Sequence, residues 1–519
     1  MREGTTYAGH ACRERRADIT FNGKINRTSI IMIDLEALRN CVRNGIDFVK
    51  KQKDVIDAEI FASWNEHITV RLNYTSDIPC NGVHEPKSTQ FSGIGLFVVF
   101  KAGKEIKVGF GSVPNNVTAK GVVEAFQKAR KNKVYDPDFK SLPVPTGKPV
   151  LENYHDPAVM EISDEAIVDL GWRGLKGALT EYNQKHFNKS IIIGGDITII
   201  KERMAIASTK GIDDFDESTI LTTSITSMIE KESVKGTGWN TSTHLSGFDP
   251  EEAGRTSAES AIKTIGGERI SSGTYNVVFG RQPVTDLFTN IVIPALSLSS
   301  VNSSDTPFLG KLGKKIASEL LTVYDDGTIK GAVGSKKISC EGIPTGRTNL
   351  IHNGFLVGFL ANNYLSRKLE NVFVSFPPRN GFRYHNGGRN HTIQPRICPT
   401  NIVIEGKDEV PSHSLLSKIN NGIYIGRIWY TYPINGLAAG DFTSTIIADS
   451  YLVKGGKIDK PLKPNTVRIN NNITDILNNI IAVSKDKKQT IVWGGEEVVI
   501  APEIAVQGVK LDGISGFIS

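Results

Sequence analysis

The segment "RYHNGGRNHTIQPRIC" holds the side chains best suited by type to metal chemistry, because it brings His385, His391 and Cys398 close in sequence. Imidazole and thiolate both bind zinc, and three such ligands hold the ion while leaving a position for water. The separations of 6 and 7 residues (385 to 391, 391 to 398) match no standard local zinc pattern, and the Gly- and Asn-rich context reads as a loop. Two readings follow: a relocated metal site, or side chains that hydrogen-bond and pack, of which the second is favoured. His67 and His84 read as satisfied surface histidines. "HEP" at His84–Glu85 is not a zinc helix, since Pro86 follows and no second His is near.

A second stretch, "QPVTDLFTNIVIPALS" (282–297), follows the strand-like "TYNVVFG". A strand feeding a helix is a common mount for catalytic groups. Yet the stretch lacks His, Glu, Cys, Lys and Arg, and its one charge is Asp286. Val284, Leu287, Phe288, Ile291, Val292 and Ala295 recur at helical spacing, so one face is core. The chain has no G-x-x-x-x-G-K-[ST], no strand–GxGxxG–helix, no HExxH and no GxSxG.

The elements that must carry these residues read as α+β: two small α+β N-terminal domains, then a large, mostly antiparallel β C-terminal domain. Residues 1–32 form an N-terminal extension. In the first domain (33–132), apolar residues at Leu35, Leu38, Val42, Ile46 and Val49 predict a helix. "AEIFASW" and "ITVRLNY" predict two strands, "GLFVVFKAGKEIKVGFG" a hairpin turning at Ala102-Gly103, and a helix starts near Thr118. A Pro-rich linker spans 133–154. The second domain (155–267) has a helix capped by Ser163, a strand pair turning at Gly194-Gly195-Asp196, and a helix capped by Asp249 with Pro250 in its first turn. In the third (268–519), strands and tight turns dominate, Asn353-Gly354 signals a hairpin, and two or three helices are expected, including the 282–297 stretch and "SRKLE".

Composition excludes several classes. With 519 residues, two to four domains are expected. The balance of 61 basic and 55 acidic residues gives +6, and the clusters "CRERR", "VKKQK" and "QKARKNK" are short, so no nucleic-acid partner is expected. No apolar run approaches a membrane span, and the N-terminus is charged where a signal peptide is apolar, so no membrane association and a cytoplasmic location are expected. Five cysteines (Cys12, Cys41, Cys80, Cys340, Cys398), scattered and without CxxC, predict no disulfide framework.

An ordered series does carry function. "GTYNVVFG", "FLGKLGKKIASELLTVYDDGT", "ISCEGIPTGRTNLIHNGFLVGFLANNYLSRKL", "NGFR", "CPTNIVIEG", "NNGIYIG", "AAGDFTS", "YLVKGGKIDKPL" and "NNNITDILNNIIAVSKD" follow one another in the order of the TldD/PmbA family. "AEIFASW", "VVEAFQKAR", "SLPVP" and "DPEEAGRTSAESAI" fit its first two domains, so residues 33–511 resemble this family, once called modulators of DNA gyrase. The resemblance implies a two-protein peptidase acting on unfolded or small peptides. A TldD-like subunit carries an HExxxH helix and a C-terminal Cys; two His and the Cys bind zinc, and the Glu is general base. A TldE/PmbA-like subunit shares the fold without the ligands.

Aligned on "VVFG" and "IASELLTVYDDGT", the HExxxH window falls on 289–294. Thr289 and Pro294 stand at the His positions, Asn290 at the Glu position, and the Cys position lies near Trp493. Thr and Pro cannot replace imidazole, and Asn cannot act as a base. The resemblance therefore implies a degenerate site and no cofactor in this chain. It places zinc in a TldD-like partner, forming a heterodimer, with a homodimer as the alternative. It also makes Asn380, Gly381, Phe382 and Arg383 a chamber-lining, substrate-binding segment. Arg383 would hold a peptide carbonyl or carboxylate, or else sit in a structural ion pair. An acidic residue is usual in the family where Cys340 stands.

Overall fold

A computed structural model describes residues 32–514, apart from 79–80, 104, 153, 186–188, 374, 386–387 and 492–497. The extension at 1–31 and Trp493 thus lie outside the described residues. Among the described helices, none is long and apolar enough to cross a membrane.

Strands from both α+β stretches form one sheet. The 55–75 strand pairs on one side with the 87–102 strand, from Val55–Phe100 to Thr69–Lys87. On its other side it pairs antiparallel with the 192–208 strand, from Glu59–Ser208 to Thr75–Ile192. The 105–114, 213–229 and 234–242 strands extend the sheet outward.

Two expected breaks are absent. "AEIFASW" and "ITVRLNY" are one strand, Val55–Thr75. The intervening Asn65, Glu66 and His67 resemble a turn in sequence, but both neighbouring strands pair through them and hold them in the ladder. Asn65 Nδ2 donates to the Arg389 carbonyl (2.6 Å), and Glu66 pairs with Lys201 Nζ (2.9 Å) and accepts from Ser88 and Gln90. Gly194-Gly195-Asp196 lies within the continuous strand Ile192–Ser208. Gly195 has φ +149°, and a Cβ there would meet the Ser224 carbonyl at 2.2 Å, so this glycine admits a close neighbouring strand rather than a turn.

The predicted helices form where expected. They are Leu35–Lys50 capped by Asp34, Ala119–Lys131 by Thr118, Asp164–Gln184 by Ser163, and Pro250–Lys263 by Asp249. All cover one sheet face, packing on Ile60, Ala62, Trp64, Val70 and Leu72. The period of two sends Glu59, Phe61, Ser63, Asn65, Thr69 and Arg71 to the opposite face. The C-terminal region covers that face.

The C-terminal region is antiparallel-rich β, with two parallel pairings, 401–406 with 498–501 and 422–433 with 273–279. The strands 422–433, 273–279, 504–513, 467–472 and 441–454 pair in sequence, and the last pairs back with the first, closing a barrel without free edges. A separate six-stranded sheet packs beside it. The 347–352 strand turns at Asn353-Gly354 into Phe355–Leu356, both turn residues at positive φ. The described helices here outnumber the two or three expected. Besides the 281–295 segment, short helices span Leu298–Asn302, Asn363–Lys368, Ser412–Ile419 and Ile473–Asn478. At five to eight residues each they are too short to print a hydrophobic period.

Candidate functional site

The 281–295 segment is helical throughout but changes pitch: α over Arg281–Leu287, π over Phe288–Val292, α over Ile293–Ala295. Pro294 supplies the reason. It has no N–H for the Asn290 carbonyl and its ring crowds that carbonyl, and a widened turn relieves both. Val284, Leu287, Phe288, Ile291, Val292 and Ala295 are all buried, as their spacing requires.

Thr289, Asn290 and Pro294 are half-buried on the side of this helix that the core leaves open. Asn290 folds back, donating Nδ2 to the Asp286 carbonyl (2.9 Å) and Oδ1 (3.1 Å). Buried Asp286 also accepts from Thr431 Oγ1 at 2.5 Å. Thr289 Oγ1 is buried without a hydrogen-bond partner among the described atoms. An amide turned to a neighbour, one hydroxyl and a pyrrolidine ring supply no zinc ligand set, so these residues do not fit the zinc that the resemblance implies.

Gln282 ties the helix to the 422–433 strand. Its Nε2 donates to the Ile428 carbonyl (3.2 Å), and its Oε1 accepts from Ile428 N (2.9 Å). The neighbouring Arg427 and Trp429 line a cavity of ≈ 920 Å³ whose floor is the sheet face away from the helices. Thr69, Thr198 and Thr222 stand opposite one another across three strands on that floor, and Arg71 stands opposite Asp196. Burial raises the Asp196 carboxyl, partly offset by Arg71, and burial lowers His67, partly offset by Asp196. The result is a hydroxyl-lined trough with charged groups of both signs, Arg71, Lys336 and Arg427 against Asp196 and Glu202. Thr289, Asn290 and Pro294 are not among its lining residues.

Arg383 lies in a buried ion pair, its Nη2 2.6 Å from Glu59 Oε1 and its Nη1 donating to the Ile393 carbonyl (2.8 Å). Asn380 Nδ2 donates to Asp325 (2.7 Å), Gly381 and Phe382 form a short strand, and Phe382 stacks on Tyr384. These four residues are buried. Arg383 also borders a second cavity of ≈ 570 Å³, away from the 281–295 helix.

His385 is exposed, Cys398 half-buried and His391 buried. His391 Nδ1 lies 3.2 Å from Ser63 Oγ, and burial lowers this imidazole to about 4, so it is neutral near pH 7. Cys398 packs beside the Phe61, Met204 and Phe382 cluster. Among the described residues no group of three His, Cys, Asp or Glu could hold a metal, and these three are not gathered.

Sequence reasoning missed the charge layer joining the two halves. Glu59, Glu202 and Asp216 come from the sheet, and Lys336, Arg383 and Arg389 from the C-terminal region. Arg389 pairs with Asp216 (2.6 Å), and Lys336 with Glu202 (3.0 Å). Glu202 also accepts from Ser218 Oγ and from Arg389 N (2.8 Å). These cations hold Glu202 down at about 2 despite its burial. The hint in sequence is charged residues at alternate positions of otherwise apolar strands.

Residues 272–513 match the family model described as "PmbA/TldA metallopeptidase C-terminal domain". The chain is 26% identical over 367 residues to an uncharacterised protein of Methanocaldococcus jannaschii, covering 70% of this chain and 79% of that protein. It is 28% identical over 232 residues to a metalloprotease TldD homolog of Buchnera aphidicola, covering 44% of each chain, so it spans under half of that relative's length. Its fold is similar to the crystal structure of TldE from Thermococcus kodakarensis, with TM-score 0.75 and 22% identity over 92% of this chain and 100% of that one. The C-terminal half of this chain, residues 272–513, is thus a C-terminal domain of the PmbA/TldD metallopeptidase family.

Proposed function

We propose that this chain is the TldE/PmbA-like, non-catalytic subunit of a cytoplasmic TldD/TldE-type zinc metallopeptidase acting on unfolded or small peptides. The observation that carries the reading is the replacement of every zinc and base position on an otherwise intact helix by Thr289, Asn290 and Pro294. A peptidase zinc polarises its bound water and needs a nearby carboxylate to take the proton. This chain provides neither ligands nor base there, so zinc and base come from a TldD-like partner. The hydroxyl-lined trough over Thr69, Thr198 and Thr222 suits an extended peptide, whose backbone needs donors and acceptors along its length. Arg427 and Trp429 would form its wall.

The competing reading, a peptidase with its own metal at His385, His391 and Cys398, has less support. One of the three is exposed, one is a neutral buried imidazole beside Ser63, and they are not gathered. The test is zinc analysis of the full chain purified alone and co-purified with a TldD-like chain, with peptide hydrolysis assayed in parallel. Expected are substoichiometric zinc and no hydrolysis alone, and about one zinc per pair with hydrolysis. One zinc per isolated chain, lost in H385A or H391A, overturns the reading.

A further inference from the structure

The ≈ 570 Å³ cavity lies where the 136–143 connector meets the C-terminal region. Asn363 Nδ2 donates to the Ser141 carbonyl (2.8 Å) and the Tyr364 hydroxyl to Asp136 (3.1 Å), fixing the connector over it. Two almost fully buried carboxylates border the space, Glu59 and Glu341. Only one of them has a cation: the Arg383 guanidinium is committed to Glu59 at 2.6 Å. Glu341 accepts from the Asn363 backbone N–H (3.0 Å) and is paired with no cation among the described residues. The remaining lining charges, Asp136 and Arg396, are opposite in sign. Arg383 Nε, on a side chain 0% exposed, has no hydrogen-bond partner among the described residues. The cavity therefore offers an unmatched acid and an unused N–H donor, with apolar Phe97, Phe139 and Leu142 nearby.

We propose that this cavity binds an α-amino ligand, the amino end of a peptide or a free amino acid, with its ammonium on Glu341 and its adjacent carbonyl accepting from Arg383 Nε–H. An ammonium supplies the counter-charge that Glu341 lacks. An anion would face two carboxylates with the single buried guanidinium already paired. The site is separate from the degenerate helix and does not depend on where zinc sits. Without ligand, burial pushes the Glu341 carboxyl up to about 8, with repulsion from Glu59 adding to it. Near pH 7 that carboxyl carries its proton, so binding an ammonium sends this proton to the buffer and leaves a carboxylate–ammonium pair.

The test is titration calorimetry of the full-length chain at pH 7 with alanyl-alanine, N-acetyl-alanyl-alanine and free alanine, in two buffers of different ionisation heat. Expected are binding of alanyl-alanine with release of about one proton, binding of the acetylated peptide weakened at least about tenfold, and a similar loss for alanyl-alanine in Glu341→Gln. Alanine binding as tightly as the dipeptide assigns the site to free amino acids; dipeptide binding alone assigns it to peptide amino ends. Equal binding of the acetylated peptide, no binding of any probe, or binding without proton release overturns the proposal. The proton count needs only the unmodified protein, so it stands even where Glu341→Gln fails to fold.

Discussion

Asp325 and Glu341 keep protons that an unfolded chain releases. Burial pushes the Asp325 carboxyl up to about 7 although Asn380 and Thr400 donate to it, and Glu341 to about 8. An unfolded Asp or Glu titrates near pH 4, so above that the folded state binds more protons and stability falls as pH rises. For Asp325 the loss runs from about pH 4 to about 7 and then levels. Asp325→Asn should therefore gain on wild type by roughly 2–3 kcal/mol between pH 5 and pH 8. Urea denaturation at the two pH values measures this, and a difference that does not change with pH would refute it. Glu202 has the opposite sign: held near 2, its contribution is present above the unfolded value and lost as pH falls towards 2.

Pro294 is the other informative residue. If its missing N–H widens the 288–292 turn, Pro294→Ala should restore α-helical pairing to the Asn290 carbonyl. A crystal structure of the variant should then show a regular α-helix over 281–295. Persistence of the π turn would point instead to Asn290 and its bonds to Asp286.

At the scale of elements, Glu59, Glu202 and Asp216 on the 55–75, 192–208 and 213–229 strands each meet a base from the C-terminal region, while Glu66 is matched within the sheet by Lys201. Removing one partner of a buried pair leaves an uncompensated charge, so Arg389→Met should cost about 3–5 kcal/mol. Replacing Arg389 and Asp216 together by apolar residues should cost less than Arg389→Met alone, because no charge is then stranded. Denaturant midpoints of the two variants decide this. Gly195→Ala should also destabilise, since its Cβ would meet the Ser224 carbonyl at 2.2 Å.

At the scale of the molecule, the sheet face bearing Phe61, Met204 and Ile206 is covered by Ile338, Cys340 and Phe382 from the C-terminal region, with Tyr384 and Cys398 packed against them. Cys340 is fully buried there, where a neutral thiol costs less than a carboxylate, and the adjacent Glu341 borders the second cavity. Because apolar and ionic contacts cross this boundary, the halves should unfold together. Calorimetry should give one transition for the full chain, and a 33–267 fragment should be insoluble or bind hydrophobic dyes. Two well-separated transitions would refute this coupling.

The sequence by itself determined the four helices of residues 35–263 and their N-terminal starts, the hairpins at Gly103 and Gly354, the buried stripe of the 281–295 helix and the family series. These rest on local spacing and turn chemistry, which are written in neighbouring residues. It did not reveal that Asn65–Glu66–His67 and Gly194–Gly195–Asp196 run through strands, because the strands that pair with them, and the close approach of Ser224 that Gly195 admits, come from far away in the chain. Only the tertiary structure left His385, His391 and Cys398 ungathered, committed Arg383 to Glu59, and left Glu341 at the edge of a cavity with no paired cation among the described residues. Charge pairing and burial depend on which distant strands meet, and no local pattern encodes that meeting.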